Sequence, residues 1–302
     1  MEKGEKYLVK VRLREPNAAS SRVVAYEVPY QKDMRIIDAL NWLTGEGESI
    51  AYRWFCSSKK CGSCAMRVNG VPKLTCWEKL EKDTLIEPLD NFEVTRDLVV
   101  EREAYQARYL TFKPYVERNH TPAWPEPLKH TEMLSTYKLM DCIECGICTS
   151  GCPAYSGAGG PFPGPWALVQ AAKFANDPRD ELDRSSEMEL SGADYCMSCH
   201  RCEELCPMEI PIVSEAIEPM RALAARGPKG TANFPVLFAD NVRQNAFVKS
   251  SSLFLRSRGL AGIFKNLGML VRMFTHKKTN LSVQSSATAR NQVQAIFSAA
   301  EK

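Results

Sequence analysis

Twelve cysteines fall into three groups of four, with none left over. Cys56, Cys61, Cys64 and Cys76 have the spacing C-x4-C-x2-C-x11-C, and its first intervals are those of plant-type [2Fe–2S] ligands. Cys142, Cys145, Cys148 and Cys152, followed by Pro153, have the spacing C-x2-C-x2-C-x3-C-P; Cys196, Cys199, Cys202 and Cys206, followed by Pro207, repeat it. Each run has the bacterial [4Fe–4S] spacing, and where two such runs occur the fourth cysteine of each serves the other cluster. The expected sets are therefore Cys142, Cys145, Cys148 and Cys206 for one cubane, and Cys196, Cys199, Cys202 and Cys152 for the other. Three clusters in one chain mean one-electron transfer over distance. Zinc is the competing reading for each set, although x4 followed by x2 is an odd zinc spacing.

Such ligands need elements that make them converge. Residues 1–105 read as a β-rich domain. Tyr7–Leu13 and Arg22–Val28 alternate like paired strands. Ile36, Ile37, Leu40 and Leu43 recur at helical spacing, with Asp33 as the expected N-cap. Asn69-Gly70 marks a hairpin between Ala65–Val68 and Val71–Cys76, so a tight loop would supply three thiolates and the strand beyond the hairpin the fourth. Gly62 and Ser63 keep that loop small and leave backbone N–H groups free for sulfur. The order strand, strand, helix, cysteine loop, hairpin is that of a β-grasp sheet. Residues 106–130 read as a linker, with Pro114, Pro122, Pro125 and Pro127 opposing regular structure. Residues 131–226 read as helical and carry the two repeated runs; Thr131–Leu139, Trp166–Ala175 and 209–226 are its expected helices, and Gly157–Pro165 a loop. Residues 227–302 form a C-terminal extension in which Leu260, Ile263, Phe264, Leu267, Leu270, Val271 and Phe274 suggest an amphipathic helix. The whole is an α+β protein: a β-grasp [2Fe–2S] ferredoxin domain, an α-helical two-cluster ferredoxin domain and a helical extension.

Charge is uneven over the 302 residues. The net charge is +3, yet Asn241–Ala300 holds nine Lys and Arg and no Asp or Glu, which leaves about −6 for the rest. The basic end suits a docking surface for a partner or an anionic membrane. No apolar run is long enough to span a bilayer, and the charged start is unlike a secretory signal, so a cytoplasmic protein is expected, peripheral on the inner membrane's cytoplasmic face. Twelve cysteines in that compartment point to metal rather than disulfides. No G-x-G-x-x-G follows a strand, and neither a Ser-His-Asp set nor HExxH is present. His120, His130, His200 and His276 are scattered. No catalytic residue is expected; this chain reads as a wire whose substrate chemistry lies in a partner.

At this level the sequence resembles a known family. Phe55-Cys56, Cys61-Gly62-Ser63-Cys64-Ala65-Met66, Asn69-Gly70 and Arg96-Asp97-Leu98-Val99-Val100 are similar to the iron–sulfur subunit of succinate dehydrogenase and fumarate reductase, over roughly residues 1–225. The resemblance implies a flavoprotein partner that interconverts succinate and fumarate at FAD, and electron flow from it along the [2Fe–2S] and then the other two clusters. Most members have C-x5-C-x3-C-P in the last run and a [3Fe–4S] cluster there; Cys199 fills that gap and implies a second [4Fe–4S]. The family's quinone-site serine, tryptophan and histidine correspond to Ala154, Gly157 and Met197, and Ser57-Ser58-Lys59-Lys60 replaces its Arg-Glu-Gly pattern. These departures resemble a subgroup whose partner is a cysteine-rich, CCG-domain subunit like that of heterodisulfide reductase rather than a haem-bearing membrane anchor. The segment His276–Phe297 is similar to the tail of that reductase's small subunit. The same wire could serve a thiol- or disulfide-linked fumarate reductase, or another flavin-dependent acid dehydrogenase.

Overall fold

A computed structural model describes residues 5–300 except 17, 19, 122–123, 158, 227–233, 250, 254–255, 257–267, 269–270, 273–274 and 276–285. The chain forms two compact units, residues 1–223 and 224–302.

In the first unit, apolar alternation makes strand β1 (Lys6–Leu13), which buries Val9, Val11 and Leu13 on one face. It pairs antiparallel with β2 (Arg22–Pro29), Lys6 opposite Pro29 and Leu13 opposite Arg22. Helix α1 (Ile36–Gly45) buries Ile36, Ile37, Ala39, Leu40 and Leu43 in the same core; each fully buried large side chain contributes about 1.5–3 kcal/mol. Strands β3 (Ala65–Val68) and β4 (Val71–Leu74) form the hairpin about Asn69-Gly70, both residues left-handed as that turn requires. Strand β5 (Asp83–Glu87) enters between β1 and β3, parallel to the first and antiparallel to the second. The sheet order is β2-β1-β5-β3-β4, and β6 (Val94–Arg96) with β7 (Val99–Val100) adds a separate two-stranded ribbon.

Two local expectations about the sheet domain need correction. Arg35, with extended backbone, is the N-cap of α1, and its N–H donates to Asp38 Oδ2 at 2.8 Å. Asp33 is left-handed (φ 64°) and instead pairs with Lys79 at 2.7 Å. Strand β4 ends at Leu74, so Cys76 lies in the turn beyond it and not on the strand.

The helical part of this unit begins with α2 (Glu103–Leu110) and continues through a 3-10 turn (His130–Met133) into α3 (Leu134–Met140). Short helices α4 (Ile147–Ser150) and α7 (Arg201–Glu204) lie inside the two cysteine runs. Between the runs come α5 (Pro165–Ala175) and α6 (Ser185–Leu190). Pro165 opens α5 at a position whose N–H has no helical partner anyway. After the second run, a π-helical turn (Val213–Ile217) leads into α8 (Glu218–Ala224). This helix starts later than position 209, because Glu209 is left-handed and Pro211 cannot donate within a helix. Its buried Val213, Ala216 and Ile217 pack against α5, whose residues 165–172 are all buried.

In the second unit, α9 (Phe234–Asn245) packs against a terminal helix, Ala287–Ala300, with the Arg243 guanidinium 4.7 Å from the Phe297 ring centre. The expected amphipathic helix falls largely outside the described residues: of its apolar set only Val271 is described, and it is exposed. Among the described residues no helix is long and apolar enough to cross a membrane.

Candidate functional site

The first cysteine set is built on the edge of the sheet. The loop after Tyr52 turns back through left-handed Ser57 and Lys59, which aims successive N–H groups inward. Cys56 Sγ accepts from the N–H of Ser58, Lys60 and Cys61 at 3.3–3.4 Å. Those donors pull the Cys56 thiol down to about 6, Ser58 first and Lys60 next. Ser63 Oγ lies 3.1 Å from Cys61 Sγ. Cys64 and Cys76 are buried and face each other, and burial pushes Cys64 up to about 11. Thr75 ties the two together, its N–H and hydroxyl both donating to the Cys64 carbonyl. Asp97 holds the approach to this loop: its carboxylate accepts from the N–H of Arg14 and of Ala51, each at 3.0 Å.

The repeated runs are offset by 54 residues and fold alike. The positions two and four beyond the first cysteine are left-handed in both, Glu144 and Gly146 in one, Ser198 and His200 in the other. A one-turn helix follows each. The helices α4 and α7 adjoin, and Gly151 meets Leu205, the residue that corresponds to it in the repeat; a Cβ on Gly151 would overlap the leucine side chain. This meeting lets each run lend its last cysteine to the other side. One cavity is lined by Cys142, Cys145, Cys148 and Cys206. A second is lined by Cys152, Cys196, Cys199 and Cys202, together with Ala154 and Met197. The walls of the first are otherwise apolar, with Trp166, Val169, Ile210 and Ile212 among them. Burial pushes Cys145 and Cys202 up to about 12 and raises Cys142, Cys148 and Cys152. His200 stands on the wall of the second cavity, with its Nδ1 2.6 Å from Glu203 Oε2.

The donor chemistry fits iron–sulfur clusters. A zinc ion with four thiolates at ~2.3 Å draws its sulfurs into one tight tetrahedron. Four cysteines line each helical cavity, the number of thiolates that a [4Fe–4S] cluster takes. Trp166, on the wall of the first cavity, has a buried Nε1 with no hydrogen-bond partner among the described residues, and cluster sulfide is an acceptor of the kind it lacks. Thiols that burial keeps neutral are deprotonated when a metal coordinates them.

The loops of the first and second cysteine sets touch. Gly62, at φ 68°, lies so close to the Cys142–Cys145 loop that a Cβ would run into the Ile143 carbonyl oxygen and stand 3.0 Å from Cys145 Cα. Arg102 donates to the carbonyls of Glu144 and Cys145. Asn91 caps α4 from the sheet side, its amide donating to the carbonyls of Thr149, Ser150 and Cys152 at 3.0–3.2 Å. Spacing alone identifies neither Asn91 nor Arg102, because their partners lie more than 40 positions away. Arg221 holds the other run, donating to Ser198 Oγ at 2.8 Å and to the Cys196 carbonyl.

Known proteins resemble this chain in the order of its two cysteine-bearing parts. Residues 8–107 match a sequence family described as 2Fe-2S iron-sulfur cluster binding domain, and residues 138–210 one described as 4Fe-4S dicluster domain. The fumarate reductase iron-sulfur subunit of Haemophilus influenzae is 35% identical over 205 residues, 61% of this chain and 80% of that protein. One subunit of the fumarate reductase (CoM/CoB) of Methanothermobacter marburgensis is 33% identical over 224 residues, 74% of this chain and 45% of that protein. The chain spans about half the length of the archaeal relatives it matches. Among solved structures, a chain of the Mycobacterium smegmatis Sdh1 complex in the apo form shares the fold, with a TM-score of 0.65 at 24% identity over 74% of this chain and 96% of that one.

Proposed function

Since the chain belongs to the family of fumarate reductase and succinate dehydrogenase iron–sulfur subunits, we propose that it carries three clusters and relays single electrons along them. Cys56, Cys61, Cys64 and Cys76 would hold one [2Fe–2S]. Cys142, Cys145, Cys148 and Cys206 would hold the first [4Fe–4S], and Cys196, Cys199, Cys202 and Cys152 the second. The observation that carries this reading is the exchange of last cysteines: each cavity is ringed by three from one run and one from the other. Each cluster, when bound, takes up and releases one electron. The chain's own residues do the rest. The N–H groups of Ser58, Lys60 and Cys61 hold negative charge at Cys56. The apolar wall of the first cavity excludes water. Gly62 lets the first and second ligand loops meet without side chains between them, which matters because tunnelling falls steeply with distance.

The partners follow from the chemistry such a wire must connect. A FAD-containing flavoprotein would interconvert succinate and fumarate and exchange electrons with the [2Fe–2S] end. A cysteine-rich, CCG-domain subunit would take them at the other end, where Ala154 and Met197 stand at the second cavity in place of the serine and histidine of the family's quinone site. The basic segment 227–302 would dock to that subunit or to the membrane face. A second reading keeps the sites but couples them to a disulfide; the relative named for CoM/CoB favours it.

Native purification with mass identification of co-purifying chains, alongside iron and sulfide determination, tests the proposal. A flavoprotein and a cysteine-rich chain, with sulfide and EPR signals from three clusters, is the expected result. A haem-bearing anchor would overturn the partner, and zinc without sulfide would overturn the sites. Succinate or fumarate exchanging electrons with the clusters of the intact complex separates the dicarboxylate reading from other acids.

A further inference from the structure

Helix α5 contains one residue that its environment does not explain. Residues 165–172 are all buried, and every one except Gln170 is apolar. Gln170 is 2% exposed. A buried amide without a partner is costly, so a glutamine in such a face is there for what it bonds. Its Nε2 donates to Cys142 Sγ at 3.4 Å. Four residues earlier on the same helix, and therefore on the same face, Trp166 lines the first cavity with an indole N–H that has no partner among the described residues. The two cavities differ here: no side chain of α5 other than Pro165 lines the second.

We propose that α5 sets the reduction potential of the first [4Fe–4S] site, with Gln170 as a positioning side chain that acts through Cys142 and Trp166 as a second donor. This rests on the ligand sets proposed above. Reduction adds one electron, and its negative charge spreads onto the sulfurs. An N–H aimed at such a sulfur binds the reduced state more strongly than the oxidised one and so raises the potential. The effect is large in this cavity because its walls are apolar and supply little other screening.

The test is an EPR-monitored redox titration of the purified holoprotein, wild type beside Gln170→Leu and Trp166→Phe. The second cluster serves as internal control, its signal assigned by its conversion in Cys199→Ser. Gln170→Leu should make the first cluster about tenfold harder to reduce, about 59 mV for a one-electron couple. Trp166→Phe should move it in the same direction by less, and the second cluster should not move in either variant. A first-cluster midpoint that stays or rises in Gln170→Leu, with four irons retained, overturns the role of Gln170. Should that variant lose its iron, wild-type protein labelled with 15N in the glutamine side-chain amide decides the matter. A 15N coupling in the reduced first-cluster signal supports the proposal, and its absence overturns it. Failure of the ligand sets themselves would show earlier and differently, as wild-type protein without sulfide or four-iron signals.

Discussion

The sheet loop and the helical cavities solve the same problem, four thiolates in one place, with different balances: both bury thiols, Cys64 up to about 11 in the first, but the sheet loop also gathers three backbone N–H groups on Cys56. Around Cys56 three backbone N–H groups converge, and the thiol sits near 6. The charge is compensated by the loop itself, and the loop rests on a five-stranded sheet with its own core. Around Cys145 and Cys202 burial dominates and the thiols rise to about 12. Ionised sulfur there needs metal charge beside it. The helices inside the two cysteine runs are also short, α4 and α7 having four residues each, far below the length at which a helix holds alone in water. The sheet region is thus expected to be organised before metal arrives, and the helical region to share its stability with the proposed clusters.

The largest expected effect breaks that comparison if it fails. Anaerobic iron removal should expose the amides of residues 134–224 to rapid hydrogen exchange while β1, β2, β5 and α1 stay protected. Equal loss in both regions would show that the sheet also depends on metal.

The join between the regions comes next. Gly62→Ala should destabilise the protein by on the order of 3 kcal/mol, because φ 68° disfavours a side chain and the Ile143 carbonyl occupies the space. Denaturant unfolding of the holoprotein reads this directly, and a change under 1 kcal/mol would mean that the two loops part easily.

Asn91→Ala should cost less, about 2 kcal/mol, since it removes a side-chain donor shared by three carbonyls at the end of α4, of which those of Thr149 and Cys152 also accept backbone N–H groups. Its loss should raise exchange around Cys148–Cys152 and leave the Cys56–Cys64 loop unchanged. Exchange mapped to the opposite side would refute the cap.

The smallest change in stability and the sharpest in spectroscopy belongs to Cys199→Ser. Cys199 is the exposed cysteine of the set, so little packing is lost, but one corner iron loses its thiolate. The second cluster should convert toward [3Fe–4S], with a new oxidised-state EPR signal and lower iron content. Unchanged iron with a persistent four-iron signal would remove Cys199 from the ligand set.

The candidate ligand sets were legible in the sequence because most of their cysteines sit on short loops, where chain spacing approximates space. The order of β-rich and helical parts was legible for a related reason: alternation in Tyr7–Leu13 and the i, i+3, i+4 pattern of Ile36–Leu43 each report one local period. Local signals misled where two fit equally well. Asp33 and Arg35 both precede α1, and only the backbone conformation decides which residue caps it. What tertiary structure alone decided is which distant groups meet. Gly62 against Ile143, Asn91 on the end of α4, and Gln170 on Cys142 join segments 28 to 81 positions apart. Nothing in local composition encodes such contacts. They arise when buried faces from separate elements close on one another, and packing then fixes which side chains face the sulfurs.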